Sequence, residues 1–305
     1  NTGKGSTKKL FASNIDEAVT RAIELRSELR NRPIRDIRDV EVMAQLDQEA
    51  HRKLEMPELV ADLLIGEVLE AGGREIDLAA VAMDVGNALA GDVGKFRELS
   101  LRALQTLRKE LPGGITNRRP FHWPLEFPEV FCRENGGFDA FVGNPPFLGG
   151  QILSGTFGPR YKEYLAQHLS IDEAATADLV VFFFLRASSL TRRAGYLGLL
   201  ARRSLAEGKN REIGLEQLIK RGVIIYSAHT NIPWPGKASV IVHQIHMAKS
   251  KWSGVVKLNN VPLPFISSYL DDLALGSPEP LRHNAGKMFQ GTILNSEGFK
   301  ITSDR

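Results

Sequence analysis

Along the first third of the chain, apolar positions recur at helical spacing. Ile15, Val19 and Ile23 form one stripe behind Asn14, with Glu17 three residues on as a capping partner, and Pro33 ends the run. Val40, Met43, Leu46, Ala50 and Leu54 mark a second helix. Pro57, at a first helical position, opens a third through Leu59, Leu63, Val68 and Leu69, with Gly72-Gly73 as its stop. Phe96, Leu99, Leu104, Leu107 and Leu111 mark a last one. Residues 1–12 are polar and rich in Gly, Lys and Ser, and read as a loose end.

After Pro112-Gly113-Gly114 the pattern changes. Phe138 to Val142 predicts a strand, Ala177 to Arg193 a buried helix with Asp178 near its start, and Tyr196 to Leu200 a second strand. Arg211 to Lys220 is amphipathic, and Val223 to Tyr226 and Ser239 to His246 are further strands. Strands alternating with helices imply an α/β sheet. From residue 251 the chain is rich in Pro, Gly and Ser with weak periodicity, and reads as a linker. The sequence thus divides into a helical region at 1–118, an α/β core segment at 119–250 and a linker at 251–305.

Composition adds exclusions more than assignments. The 305 residues, 43% hydrophobic and 25% charged, are ordinary for a globular chain. A net charge of +3 is too small to argue for nucleic-acid binding, so any such contact must come from local patches. Cys132 is the only cysteine, which excludes an internal disulfide and points to a reducing, cytoplasmic setting. The longest apolar run, Leu179 to Leu185, is far short of a membrane span. His243 and His246 lie three apart on a strand and should face opposite sides, so no metal site is expected.

Candidate chemistry centres on Asn144-Pro145-Pro146-Phe147, which Gly143 joins to the first strand. In open α/β sheets ligands bind outside the carboxyl ends of strands, where this loop would sit. An exocyclic amine of adenine or cytosine is a poor nucleophile because its lone pair is delocalised into the ring. Two acceptors, the Asn144 side-chain oxygen and the Pro145 carbonyl, can bind its hydrogens and pull the nitrogen toward tetrahedral geometry. The Pro-Pro pair makes the turn rigid, and Phe147 offers a flat face for an extruded base. The plainer reading is a Pro-Pro turn with Phe147 in the core.

The flanks extend the pattern. They run from Phe121-His122-Trp123-Pro124-Leu125-Glu126-Phe127-Pro128-Glu129-Val130-Phe131 and Gly137-Phe138-Asp139 into the tetrapeptide. Ala177-Asp178-Leu179, Phe182-Phe183-Phe184, Gly195-Tyr196-Leu197-Gly198, Trp234-Pro235-Gly236-Lys237-Ala238 and Phe289-Gln290-Gly291 follow in order. From about residue 119 to 300 the chain resembles the N6-adenine-specific DNA methyltransferases of the N-P-P-F type. It most resembles those of the large single-chain type II restriction–modification enzymes. The resemblance implies a partial Rossmann-like class I methyltransferase sheet and S-adenosylmethionine as methyl donor. It implies double-stranded DNA as substrate and a role in restriction–modification or phage defence. Asn144, Pro145, Pro146 and Phe147 would be catalytic, with Asn144 also bordering the donor. The family's Gly-rich donor loop and its acidic partner are not found; Asp84-Val85-Gly86-Asn87 is nearest, inside a helical pattern. The resemblance therefore implies donor motifs upstream of Asn1, in the remainder of a parent polypeptide. It also implies a target-recognition domain downstream of Arg305, and a sheet edge and apolar face left uncovered in this piece.

Arg202, Arg203, Lys209 and Arg211 follow the strand ending at Leu200 and are candidates for DNA phosphate contacts, or simply a solvated basic loop. Asp178 shapes the site or caps its helix. Trp234-Pro235-Gly236-Lys237 is a rigid turn, and His122 and Trp123 pack beside the motif loop. The rival to an enzyme is a non-catalytic DNA-binding or scaffold subunit with a degenerate methyltransferase fold. Methylation of a protein side-chain amide is a third possibility.

Overall fold

The computed structural model describes residues 3–72, 74–89, 92–111, 118–170, 177–235 and 240–273, with side chains from residue 13 onward. The helical half begins with α1 (Gly3–Asn31), so the expected loose end is helical from Gly3. Next comes α2 (Ile37–Ala71), a single 35-residue helix in place of the two predicted around Pro57. Asp36 caps its start by accepting the Arg38 backbone N–H, and Gly72 ends it in the left-handed region at φ 53°. An interior proline removes one helical hydrogen bond and costs about 3 kcal/mol. Burial offsets it: Leu54 packs with Ala22, Leu25 and Ala50 on one side of Pro57, and Leu63 packs with Val85 and Leu99 on the other. Each such side chain is worth about 2 kcal/mol.

Asp77 accepts the N–H groups of Ala79 and Ala80 at the head of α3 (Leu78–Leu89), a helix the periodicity did not separate. Asp92 caps α4 (Val93–Arg108) through the Lys95 N–H. Gly66 on α2 meets α4 closely: a Cβ there would lie 2.1 Å from Thr106 Oγ1. A side chain at this position would push the two helices apart.

Two short helices, α5 (Trp123–Glu126) and α6 (Pro128–Phe131), lead into β1 (Phe138–Gly143). They are tied back to the helical half by His122 Nε2 to Asp62 Oδ1 at 2.8 Å and by Arg30 to Glu129 at 3.0 Å. After the motif loop come α7 (Leu153–Phe157), α8 (Pro159–Leu169), α9 (Leu179–Leu190) and β2 (Thr191–Arg202). A 3-10 turn (Arg203–Ala206) is followed by α10 (Gly208–Arg211), a π-helical turn (Glu212–Glu216) and α11 (Gln217–Lys220), where one amphipathic helix was expected. The remaining strands are β3 (Ile224–Pro233), β4 (Ile241–Ala248), β5 (Val256–Leu258) and β6 (Val261–Leu263).

The six strands form one mixed sheet in the order β1-β2-β4-β3-β5-β6. β1 runs parallel to β2, with Val142 opposite Gly198, and β4 is antiparallel to both β2 and β3. An α/β sheet preceded by a helical region is therefore the architecture, as the sequence predicts. Within the stretch expected to be a linker from 251, Val256 to Leu263 form the β5–β6 hairpin. Its Asn259-Asn260 corner has φ 51° and 67°, the positive values that two-residue hairpin turns require. The sequence signal for it was present in the Asn-Asn pair. Phe289-Gln290-Gly291 and residues 236–239 lie outside the described residues.

One face of the sheet, carrying Leu197, Leu199, Ile225, Ile245 and Met247, is buried under α9 and the 208–220 helical run. On the other face Val142 is 86% exposed, and Tyr226 stacks on Trp252 with ring centroids 4.1 Å apart. β1 has a strand neighbour on one side only among the described residues. No helix among the described residues is long and apolar enough to cross a membrane.

His243 on β4 is buried and its Nδ1 accepts the Asn231 N–H at 3.1 Å. Burial, helped by the positive charge of Arg203 and opposed by Glu207, holds its pKa below the ordinary value. Burial and His229 do the same for His246. Below about pH 6.5 the unfolded chain therefore binds protons that the folded chain refuses, and stability falls as pH falls. Thermal denaturation from about pH 7.5 to about pH 5.5 should show a smaller loss of melting temperature in His243→Gln/His246→Gln than in the unaltered chain. Parallel curves would refute this.

Candidate active site

β1 delivers Asn144 to the carboxyl end of the edge strand. Its position is set by an aromatic cluster on the preceding segment: Phe138 packs against Phe127, Phe131 and Trp123 at centroid distances of 5.2, 5.4 and 5.6 Å, and Trp123 meets Phe141 at 5.5 Å. Trp123 thus supports the strand that carries the motif, while His122 turns away to Asp62.

Within the motif loop Asn144 and Pro146 are exposed, Pro145 is buried, and Phe147 is half-buried against the main core. The loop has no helical or strand hydrogen bonds of its own. It is held from behind, where Leu148 O accepts the Leu179 N–H at 2.8 Å and Asp178 Oδ1 accepts the Gly150 N–H at 3.0 Å. Asp178 stands at the head of α9 without making a cap hydrogen bond. Its Oδ2 instead accepts from Ser204 Oγ and Asn210 Nδ2, both at 3.0 Å. No periodicity pointed to Ser204 or Asn210, because their link to the motif exists only after folding.

Asn144 and Pro145 border an apolar groove of about 490 Å3 that is also lined by Phe182, Phe183, Arg186 and Leu190 of α9 and by Tyr161. Burial, then the neighbouring Tyr164, pushes the Tyr161 phenol up, so it stays protonated.

The basic candidates separate. Arg202, Arg203 and Lys209 are exposed; Arg203 pairs with Glu207 at 2.9 Å and Lys209 with Glu212 at 2.7 Å. Arg211 does not join them, contrary to the expectation from its place in sequence. It is buried, ion-paired with Glu216, bonded to Ser268 Oγ at 2.9 Å and stacked 4.0 Å over the Tyr269 ring. The helical phase of α10 turns it inward, where it fastens the 267–271 segment to the core. Among the described residues no cluster of His, Cys, Asp or Glu is placed to hold a metal.

Among the described residues no strand precedes β1, so no strand-to-helix donor loop stands ahead of the motif. Asp84-Val85-Gly86-Asn87, the nearest sequence candidate, lies within α3 with Val85 fully buried, and offers no loop to a ligand.

Comparison with known proteins bears on the central stretch. Residues 79–223 match the Eco57I restriction-modification methylase family, from α3 through the motif loop to the end of the 208–220 helical run. A putative type II restriction enzyme and methyltransferase of Methanocaldococcus jannaschii is 33% identical over 90 residues, 30% of this chain and 7% of that protein. The solved Type IIL restriction-modification enzyme MmeI, in complex with DNA, covers 64% of this chain and 27% of its own, at 17% identity and a TM-score of 0.40. The chain thus spans a small part of each of these proteins.

Removing a buried charge's partners, or the charge from its partners, costs about 3 kcal/mol, whereas exposed ion pairs are worth under about 1 kcal/mol. In urea unfolding, Arg211→Ala should lose about 3 kcal/mol and Arg203→Ala under about 0.5 kcal/mol. Equal losses would place Arg211 at the surface.

Proposed function

We propose that this chain is the base-binding part of a DNA methyltransferase, which transfers a methyl group from S-adenosylmethionine to N6 of adenine within a restriction–modification or phage-defence enzyme. The observation that carries this reading is the exposed Asn144 just past the carboxyl end of β1, which with Pro145 lines the apolar groove. The match of residues 79–223 to a restriction-modification methylase family supports it.

In this reading the target base leaves the duplex and enters beside the motif. The Asn144 side-chain oxygen and the Pro145 carbonyl accept its two amine hydrogens and localise the nitrogen lone pair. Pro145 and Pro146 keep the loop from relaxing, and the exposed part of Phe147 stacks on the ring. When bound, S-adenosylmethionine would supply an electrophilic methyl group and leave as the thioether, with Asn144 bordering it. Arg202, Arg203 and Lys209, on the same side of the sheet, contact DNA phosphates.

Expressed as the full parent protein in a host without DNA methylation, the enzyme should leave N6-methyladenine in digested host DNA, and Asn144→Ala should abolish it. N4-methylcytosine would keep the mechanism and change the base. No modified base from soluble protein with an intact donor loop would sink the enzyme and favour a non-catalytic DNA-binding subunit.

For the phosphate contacts, Arg203→Ala/Lys209→Ala should weaken DNA binding at all sequences alike. It should also reduce the slope of log affinity against log salt by about 2. An unchanged slope in a binding titration would return these residues to the role of solvated charges.

A further inference from the structure

We propose that Asp178 is a positioning residue that latches the amine-holding loop to the basic segment after β2, so that DNA backbone contact and base capture share one network. The proposal rests on the function proposed above for what the loop does, and on the following geometry for how it is held.

Asp178 occupies the N-cap position of α9 but its side chain accepts no N–H from that helix. Both carboxylate oxygens point sideways instead. Oδ1 accepts the Gly150 N–H at 3.0 Å, on the segment just after the motif. Oδ2 accepts Ser204 Oγ and Asn210 Nδ2, each at 3.0 Å, on the segment that also carries Arg202, Arg203 and Lys209. Asn210 Oδ1 in turn accepts the Asp178 backbone N–H at 2.8 Å. That reciprocal pair fixes the amide orientation of Asn210, because a flip would set donor against donor. The latch therefore needs acceptors on both sides of residue 178. A charged acceptor makes these bonds stronger than neutral ones.

An ordinary cap and a latch make opposite predictions for one substitution. Asn and Asp are equivalent as N-caps, so a cap tolerates Asp178→Asn. A latch does not: the new amide nitrogen must face either the Gly150 N–H or the donors of Ser204 and Asn210. The double exchange Asp178→Asn/Asn210→Asp restores complementarity. The residue 178 amide then donates to the new carboxylate and to Ser204 Oγ, while its oxygen still accepts from Gly150.

The test uses the full parent protein, with amide hydrogen exchange over the Gly150 segment, DNA binding, and single-turnover methylation measured for each variant. Asp178→Asn should speed exchange at Gly150 and slow methyl transfer about 100-fold, as expected for a loop displaced by about 1 Å. DNA affinity should stay within about threefold, since the phosphate contacts remain. The double exchange should restore protection and at least about a tenth of the rate. Unchanged exchange in Asp178→Asn overturns the latch, and faster exchange with an unchanged rate overturns its role in positioning. If the unaltered parent methylates no DNA, the functional reading fails on its own. The exchange comparison then still decides whether the latch exists.

Discussion

The burial of α9 against the sheet is the interaction on which the rest of this structure depends. Leu179, Val180, Val181, Phe182, Phe184 and Leu185 are all buried, against Leu197, Leu199, Ile245 and Met247 of the strands. Each contributes on the order of 2 kcal/mol of apolar burial, so the helix has one stable seat. The motif loop has no regular hydrogen bonding and takes its position from that seat, through Leu148 to Leu179 and Gly150 to Asp178. A loop held this way is only as well placed as the helix behind it, which makes the hydrophobic core part of the site's geometry.

A second constraint is the aromatic packing in front of β1. Among the described residues β1 has one strand neighbour, and Phe127, Phe131 and Trp123 packed on Phe138 add to its support. Those residues sit on or beside short helices fastened to α1 and α2 by side-chain hydrogen bonds, Arg30 to Glu129 and His122 to Asp62. The helical half thereby bears on the motif through a chain of contacts and contributes no residue to it. The match to a restriction-modification methylase family begins inside that half, in α3.

Charge is divided between surface and interior along one short stretch. Arg203 and Lys209 keep their guanidinium and ammonium groups in solvent, paired with neighbouring glutamates, while Arg211 is taken into the core by Glu216, Ser268 and Tyr269. A sheathed arginine of this kind resists removal because its partners would be left buried and unpaired. Together with buried Leu270, it holds the 267–271 segment to the main core.

The sequence by itself determined the helix–then–α/β order, the strand into Asn144 and the buried helix that begins near Asp178. These are local matters, carried by apolar periodicity. It misjudged Pro57, which fits a first helical position but lies inside one long helix held by burial on both sides. It cut β3 short at Tyr226, because polar Ser227, Thr230 and Asn231 and a bulge between His229 and Ile232 hide the alternation. It grouped Arg211 with its exposed neighbours, because linear proximity says nothing of helical phase, which turns Arg211 inward at the end of α10. Only the tertiary structure decided that Asp178 reaches Gly150, Ser204 and Asn210. Such bonds join positions distant in the chain, and their existence depends on how α9 and the sheet pack, which no local pattern encodes.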